Sequence, residues 1–183
     1  MKEFRDLDAL HRVLTSVDGW PEDVRRSNFA TALVTTLEFS ESVAASYTSV
    51  VLGTNQPGYA ARVHRYGREV IGRWGRGDHK GSAGNLIVTK QWSWTFGEDL
   101  VYQYTYEGYQ GYTNPFGGGY TVPSSEVQRG VWAPGDYRGD DGTLAIVIIP
   151  YGGRPRRLRH RWVDSEPPHD ACWIDSDRYA RLD

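Results

Sequence analysis

Residues 100–120, LVYQYTYEGYQGYTNPFGGGY, decide the fold class. Leu100, Tyr102, Tyr104 and Tyr106 recur at every second position, the period of a half-buried strand. The stretch then passes into Gly and Tyr, breaks at Asn114-Pro115 and reaches Gly117-Gly118-Gly119. Asn-Pro and Gly runs are turn punctuation, so the pattern predicts a rigid aromatic strand followed by a mobile Gly/Tyr-rich lid loop.

The segment before it, residues 85–96, carries the cleanest alternation in the chain. Leu86, Val88, Trp92, Trp94 and Phe96 share one face, while Thr89, Gln91, Ser93 and Thr95 share the other. Gly97-Glu98-Asp99 closes the two segments into a hairpin, which sets aromatic side chains beside one another at about 0.2–1 kcal/mol per cross-strand pair. Further along, residues 121–132 read as a strand. Residues 143–149 form a short, wholly apolar strand expected to be covered on both faces. Leu158, His160 and Trp162 then alternate with Arg157, Arg159 and Arg161.

Upstream, Phe4, Leu7, Leu10, Val13, Leu14 and Val17 recur at helical spacing, and Asp18-Gly19 ends that helix. Trp20-Pro21-Glu22-Asp23 opens a second, short helix, with proline in the first turn and acids where the helix dipole favours them. Residues 29–52 hold both periods at once. The β-branched set Thr31, Val34, Thr35, Thr36, Val43, Thr48, Val50 and Val51 favours two strands turning near Glu41. Residues 59–66 and 68–74 read as a hairpin about Gly67, followed by a polar loop over 75–85. From Asp164 the chain is an acidic, proline-broken tail. These readings add up to an α+β fold, predominantly antiparallel β: a curled sheet or barrel with an N-terminal helical segment. The chain is read as one domain, with helical residues 1–28, a β-rich body at 29–163 and the tail at 164–183.

Composition limits the function classes. The chain has 183 residues, 12 tyrosines, 7 tryptophans, one cysteine and a net charge of −2. One cysteine forbids an intrachain disulfide, and near-neutrality argues against nucleic acid or an anionic membrane as a partner. The opening is polar and the longest apolar run, 144–149, is too short to span a bilayer, so a soluble cytoplasmic protein is expected.

The aromatic positions carry the functional reading. Trp92, Trp94, Tyr102 and Tyr106 on strands, with Tyr109, Tyr112 and Phe116 on the lid, are the expected ligand-binding residues, stacking on an apolar or aromatic small molecule. Glu107, Tyr104 and His64 are the titratable groups that could polarise such a ligand, as in a cofactor-free cyclase or isomerase. The set His160, Asp164, His169 and Cys172 matches no zinc spacing, so no metal is expected. No G-x-S-x-G, H-E-x-x-H or P-loop string occurs, and no cofactor is expected. Basic residues at 62–80 and 154–161 read as solvated strand faces.

The run Gly152-Gly153-Arg154-Pro155 leading to Trp162 resembles the close of small bacterial toxin-immunity proteins, and no residue role follows from it. Two other functions stay open on these residues. One is a non-enzymatic immunity- or inhibitor-type protein that uses the Tyr/Gly loop as a contact surface for a protein partner. The other is a carbohydrate-binding module with an open ring platform.

Overall fold

The computed structural model, which describes residues 6–53, 58–81, 86–113, 119–137 and 143–183, shows four helices followed by an eight-stranded antiparallel barrel. The expected α+β fold, mostly antiparallel β, is the one observed. Helix α1 (Leu7–Val17) is capped by the Asp6 carboxylate, which accepts from the Ala9 N–H at 2.5 Å. It buries Leu7, Leu10, Val13, Leu14 and Val17, the face its spacing foretold.

The two strands expected over 29–52 are instead helices α2 (Glu22–Leu37) and α3 (Glu41–Val51). Phe29, Leu33 and Leu37, four residues apart, are each fully buried on one helical face. Threonine hydroxyls in this stretch are satisfied one turn back, Thr31 to Ser27 O and Thr35 to Thr31 O at 3.0 Å, Thr48 to Ala44 O at 2.8 Å. The hairpin expected at 59–74 is also corrected. Helix α4 (Tyr59–Val70) buries Tyr59, Val63, Tyr66 and Val70. Gly67 is no hinge: a Cβ there would stand 3.0 Å from Leu7 and Pro134 side-chain carbons, so its role is close packing between α4, α1 and the sheet. The helical portion therefore reaches Val70, not residue 28.

The strands are β1 (Gly72–Gly81), β2 (Leu86–Phe96), β3 (Val101–Thr113), β4 (Gly119–Asp136), β5 (Leu144–Pro150), β6 (Arg156–Trp162), β7 (Ala171–Ile174) and β8 (Asp177–Arg181). They pair in chain order, and β8 closes the barrel on β1 through Trp74↔Arg181 and Gly75↔Ala180. Two further expectations fall here. The polar loop placed at 75–85 is strand β1 as far as Gly81, and the acidic tail supplies the two closing strands. The first is a local hairpin with β2, hidden by its Gly-rich polar composition, and the second depends on β8 pairing with the distant β1, which local composition does not report.

Side-chain alternation sorts two cores. Val131, Ala133, Val147 and Ile149 face outward and pack under the helices. Trp132, Ile146 and Ile148 face the barrel interior with Trp74, Trp94, Phe96, Tyr102, Leu158, Cys172, Ile174 and Tyr179. Strand β5 is thus covered on both faces, as its unbroken apolar run required. Tyr66 and Val70 join the interior cluster, so the last turns of α4 stop one end of the barrel.

The other end is drawn out. Strand β5 meets β4 only along residues 130–136, leaving 119–129 of β4 paired on one side, to β3. Trp132 N–H donates to Leu100 O on the β3 side, whereas Arg129 O accepts from Tyr151 N–H on the other. Backbone groups alternate sides along a strand, so Pro123 falls on the open edge, where its missing N–H breaks no ladder bond.

Candidate functional site

Pairing register builds the aromatic wall. Inward-facing rows run Trp74–Trp94–Tyr104–Gln128 and Arg76–Trp92–Tyr106–Glu126 across β1 to β4. The Trp94 ring stacks on Phe96 with centroids 5.8 Å apart and tilts against Tyr104 at 4.6 Å and Tyr102 at 6.0 Å. Trp92 and Tyr106 meet at 5.6 Å. Burial grades along this wall. Phe96, Tyr102 and Trp94 are buried, while Trp92, Tyr104 and Tyr106 are half-buried on the drawn-out sheet. The inner rings fill the core and the outer ones form a shelf at its mouth.

Two local features hold the shelf. Gly108 leaves room for Tyr106, because a Cβ there would come within 2.6 Å of both the Tyr106 Oη and the Ser124 Oγ. Across the mouth, the Arg76 guanidinium sits over the Trp92 ring at 4.7 Å and forms an ion pair with Asp177 at the start of β8. The phenols here are donors, not bases. Burial pushes Tyr102 up to about 12 and raises Tyr104 above its ordinary value, and Tyr102 Oη donates to Gln128 Oε1 at 3.2 Å.

The residues singled out in the sequence divide among several places. Trp92, Trp94, Tyr102, Tyr104 and Tyr106 lie together on the inner face. Tyr109 lies on the outer face in register with Thr89 and Pro123, and is exposed. The lid expected after Glu107 is strand as far as Thr113, because β3 there has β2 on one side and β4 on the other. Tyr112 belongs to that strand by backbone pairing with Leu86 and Tyr120, and Phe116 lies outside the described residues.

The three titratable candidates do not meet. Tyr104 is on the inner face, Glu107 on the outer face opposite Gln91, and His64 on α4. His64 Nε2 lies 2.8 Å from the Asp8 carboxylate and its ring stacks on His11 at 4.3 Å. Arg68, then His64, hold Asp8 below the usual carboxylate range. That trio fastens α4 to α1. No group of three metal-ligating side chains in suitable geometry occurs among the described residues.

Glu107 instead borders a groove of about 480 Å³ on the outer face of β1–β3. The outward row Gly75–Ser93–Thr105 forms its floor and Gly77–Gln91–Glu107 one side. Leu182 overhangs Gly75, where a Cβ would come within 2.6 Å of its side chain. Sequence reading missed this groove. The signal for it was two glycines spaced by two residues opposite small polar residues. Comparison with family models, with curated proteins and with solved structures gave no match.

Proposed function

We propose that the mouth of the barrel binds an apolar or aromatic small molecule by stacking on the shelf formed by Trp92 and Tyr106. The observation that carries this reading is the gradient in the ring wall: packed solid through Phe96 and Tyr102, then continued as half-buried rings beyond the closed core. Arg76 completes the shelf with a flat cation, and Tyr104 offers an un-ionised hydroxyl nearby. Because Glu107 and His64 stand away from these rings, the arrangement supports binding. A cyclase or isomerase version would have to rest on shape and Tyr104 alone.

Tyr106→Ala should weaken binding of the neutral fluorophore N-phenylnaphthylamine by about tenfold, since it removes one stacking face. The unfolding midpoint should hardly move, as Tyr106 is only half-buried. Gly108→Ala, which lifts the Tyr106 hydroxyl end off the sheet, should give a smaller loss. Equal affinity in wild type and Tyr106→Ala would end the proposal.

A second reading has its own observation. Ile87, Tyr109, Tyr120, Val122 and Val127 are all exposed on the arm made by β2, β3 and β4. Apolar groups gathered on one projection suit a protein contact better than solvent. Native mass spectrometry of protein purified from its own cells separates the readings: a small added mass supports the mouth, a second chain the arm.

A further inference from the structure

We infer that the outer groove of β1–β3 is a second binding site, for a neutral polyhydroxylated ligand such as a short saccharide. It lies on the opposite face of the sheet from Tyr104 and Tyr106, with Trp92 and Arg76 of the shelf also contributing to its lining. The first argument is construction. Glycine inside a strand weakens it and marks close approach by something else, and here two occupy the same face of β1. Gly75 is explained by Leu182, which lies over it. Gly77 is not: a Cβ there would meet nothing within 4 Å among the described residues, so a side chain is absent where one would fit. The missing group leaves the groove open beside Gln91 and Glu107.

The second argument is lining chemistry. Gln91, Ser93, Gln103 and Thr105 present amides and hydroxyls, with Glu107 at one end and Arg73 at the other. Of the charged lining residues Arg73, Arg76 and Glu107, Arg76 is already paired with Asp177. That leaves one charge of each sign and no preference for an anion or a cation. Leu182 and Trp92 are too little apolar surface for a wholly hydrophobic ligand. Alternating donors and acceptors match a ligand that has both at every hydroxyl. The lining is also pre-oriented. Arg129 Nε donates to Gln103 Oε1 at 2.8 Å, and Gln103 Nε2 donates to Thr105 Oγ1 at 3.4 Å. With its oxygen accepting from Gln103, the Thr105 hydroxyl keeps its proton for a ligand. The volume falls in the range of small-molecule sites, roughly 300–1,000 Å³.

Amide NMR titrations with maltose, cellobiose and diacetylchitobiose test this. Saturable shifts are expected at Gly75, Gly77, Ser93 and Thr105 with at least one of the three. Gly77→Val should fold at least as well, since a β-branched residue suits a strand and has room, yet weaken that binding by about tenfold or more. Tyr106→Ala should leave it unchanged, so failure at the mouth and failure in the groove are distinguishable. No saturable shift with any sugar, or shifts undiminished in Gly77→Val, would overturn the inference.

Discussion

Trp132→Ala should lower the free energy of unfolding by about 3–5 kcal/mol, the range for removing a buried large aromatic. Trp132 is fully buried and joins the two cores through one residue. Its indole packs against Phe96 at 5.2 Å inside the barrel, and Nε1 donates to Gly97 O at 2.9 Å, fixing the β2–β3 turn. Its backbone carbonyl accepts from the Tyr47 hydroxyl of α3 at 2.5 Å. Alanine keeps that carbonyl but leaves a cavity and takes one of two donors from the Gly97 oxygen, which retains the Leu100 N–H at 3.1 Å. Urea denaturation checks the value, and a change below about 1 kcal/mol would show that the interior collapses around the gap. Tyr47→Phe tests the other end of the link. It should cost about 1–3 kcal/mol, because a buried carbonyl loses its donor while the ring stays packed.

The second large effect is a loss of stability in acid that traces to His160. This ring is buried beside Tyr66, Trp162 and His169, and its Nδ1 has no hydrogen-bond partner among the described residues. Burial, with a smaller contribution from His169, pushes it down from 6.5 to about 3. The folded-state value is depressed, so between those limits the unfolded chain holds a proton that the folded chain refuses. Stability therefore falls as pH drops below 6.5, by about 1.4 kcal/mol per pH unit from this group, or about 2 kcal/mol at pH 5. His160→Phe keeps a flat ring of similar shape and removes the titration. The difference in unfolding free energy between wild type and His160→Phe should then narrow or reverse from pH 7 to pH 5. A difference that stays constant would mean that the imidazole is not held neutral.

Legibility in the sequence followed the reach of the interactions. The β2–β3 hairpin could be read because its period, its rings and its Gly97-Glu98-Asp99 turn are all local. Residues 29–37 could not be read as helix from propensity, since their β-branched residues favour strand and it is burial of Phe29, Leu33 and Leu37 in the tertiary core that decides for helix. Gly67 and Gly108 looked like breaks, yet each is a glycine that yields space to a neighbour, Leu7 in one case and Tyr106 in the other. The ring shelf was visible in outline from Trp92 and Tyr106. Its cation was not, because Arg76 is ordered by Trp92 and by Asp177, far along the chain. The outer groove was hidden for a different reason: it is made of side chains that are missing.

The position of Pro123 has a bearing on how this molecule keeps company with itself. An 18-residue strand bearing Tyr120, Val122 and Val127 in the open is the kind of template on which chains stack into fibrils. A newcomer lying along it would find a pyrrolidine ring midway, with no hydrogen to offer and methylenes in the path. Such an obstacle disfavours a further strand pairing along this edge.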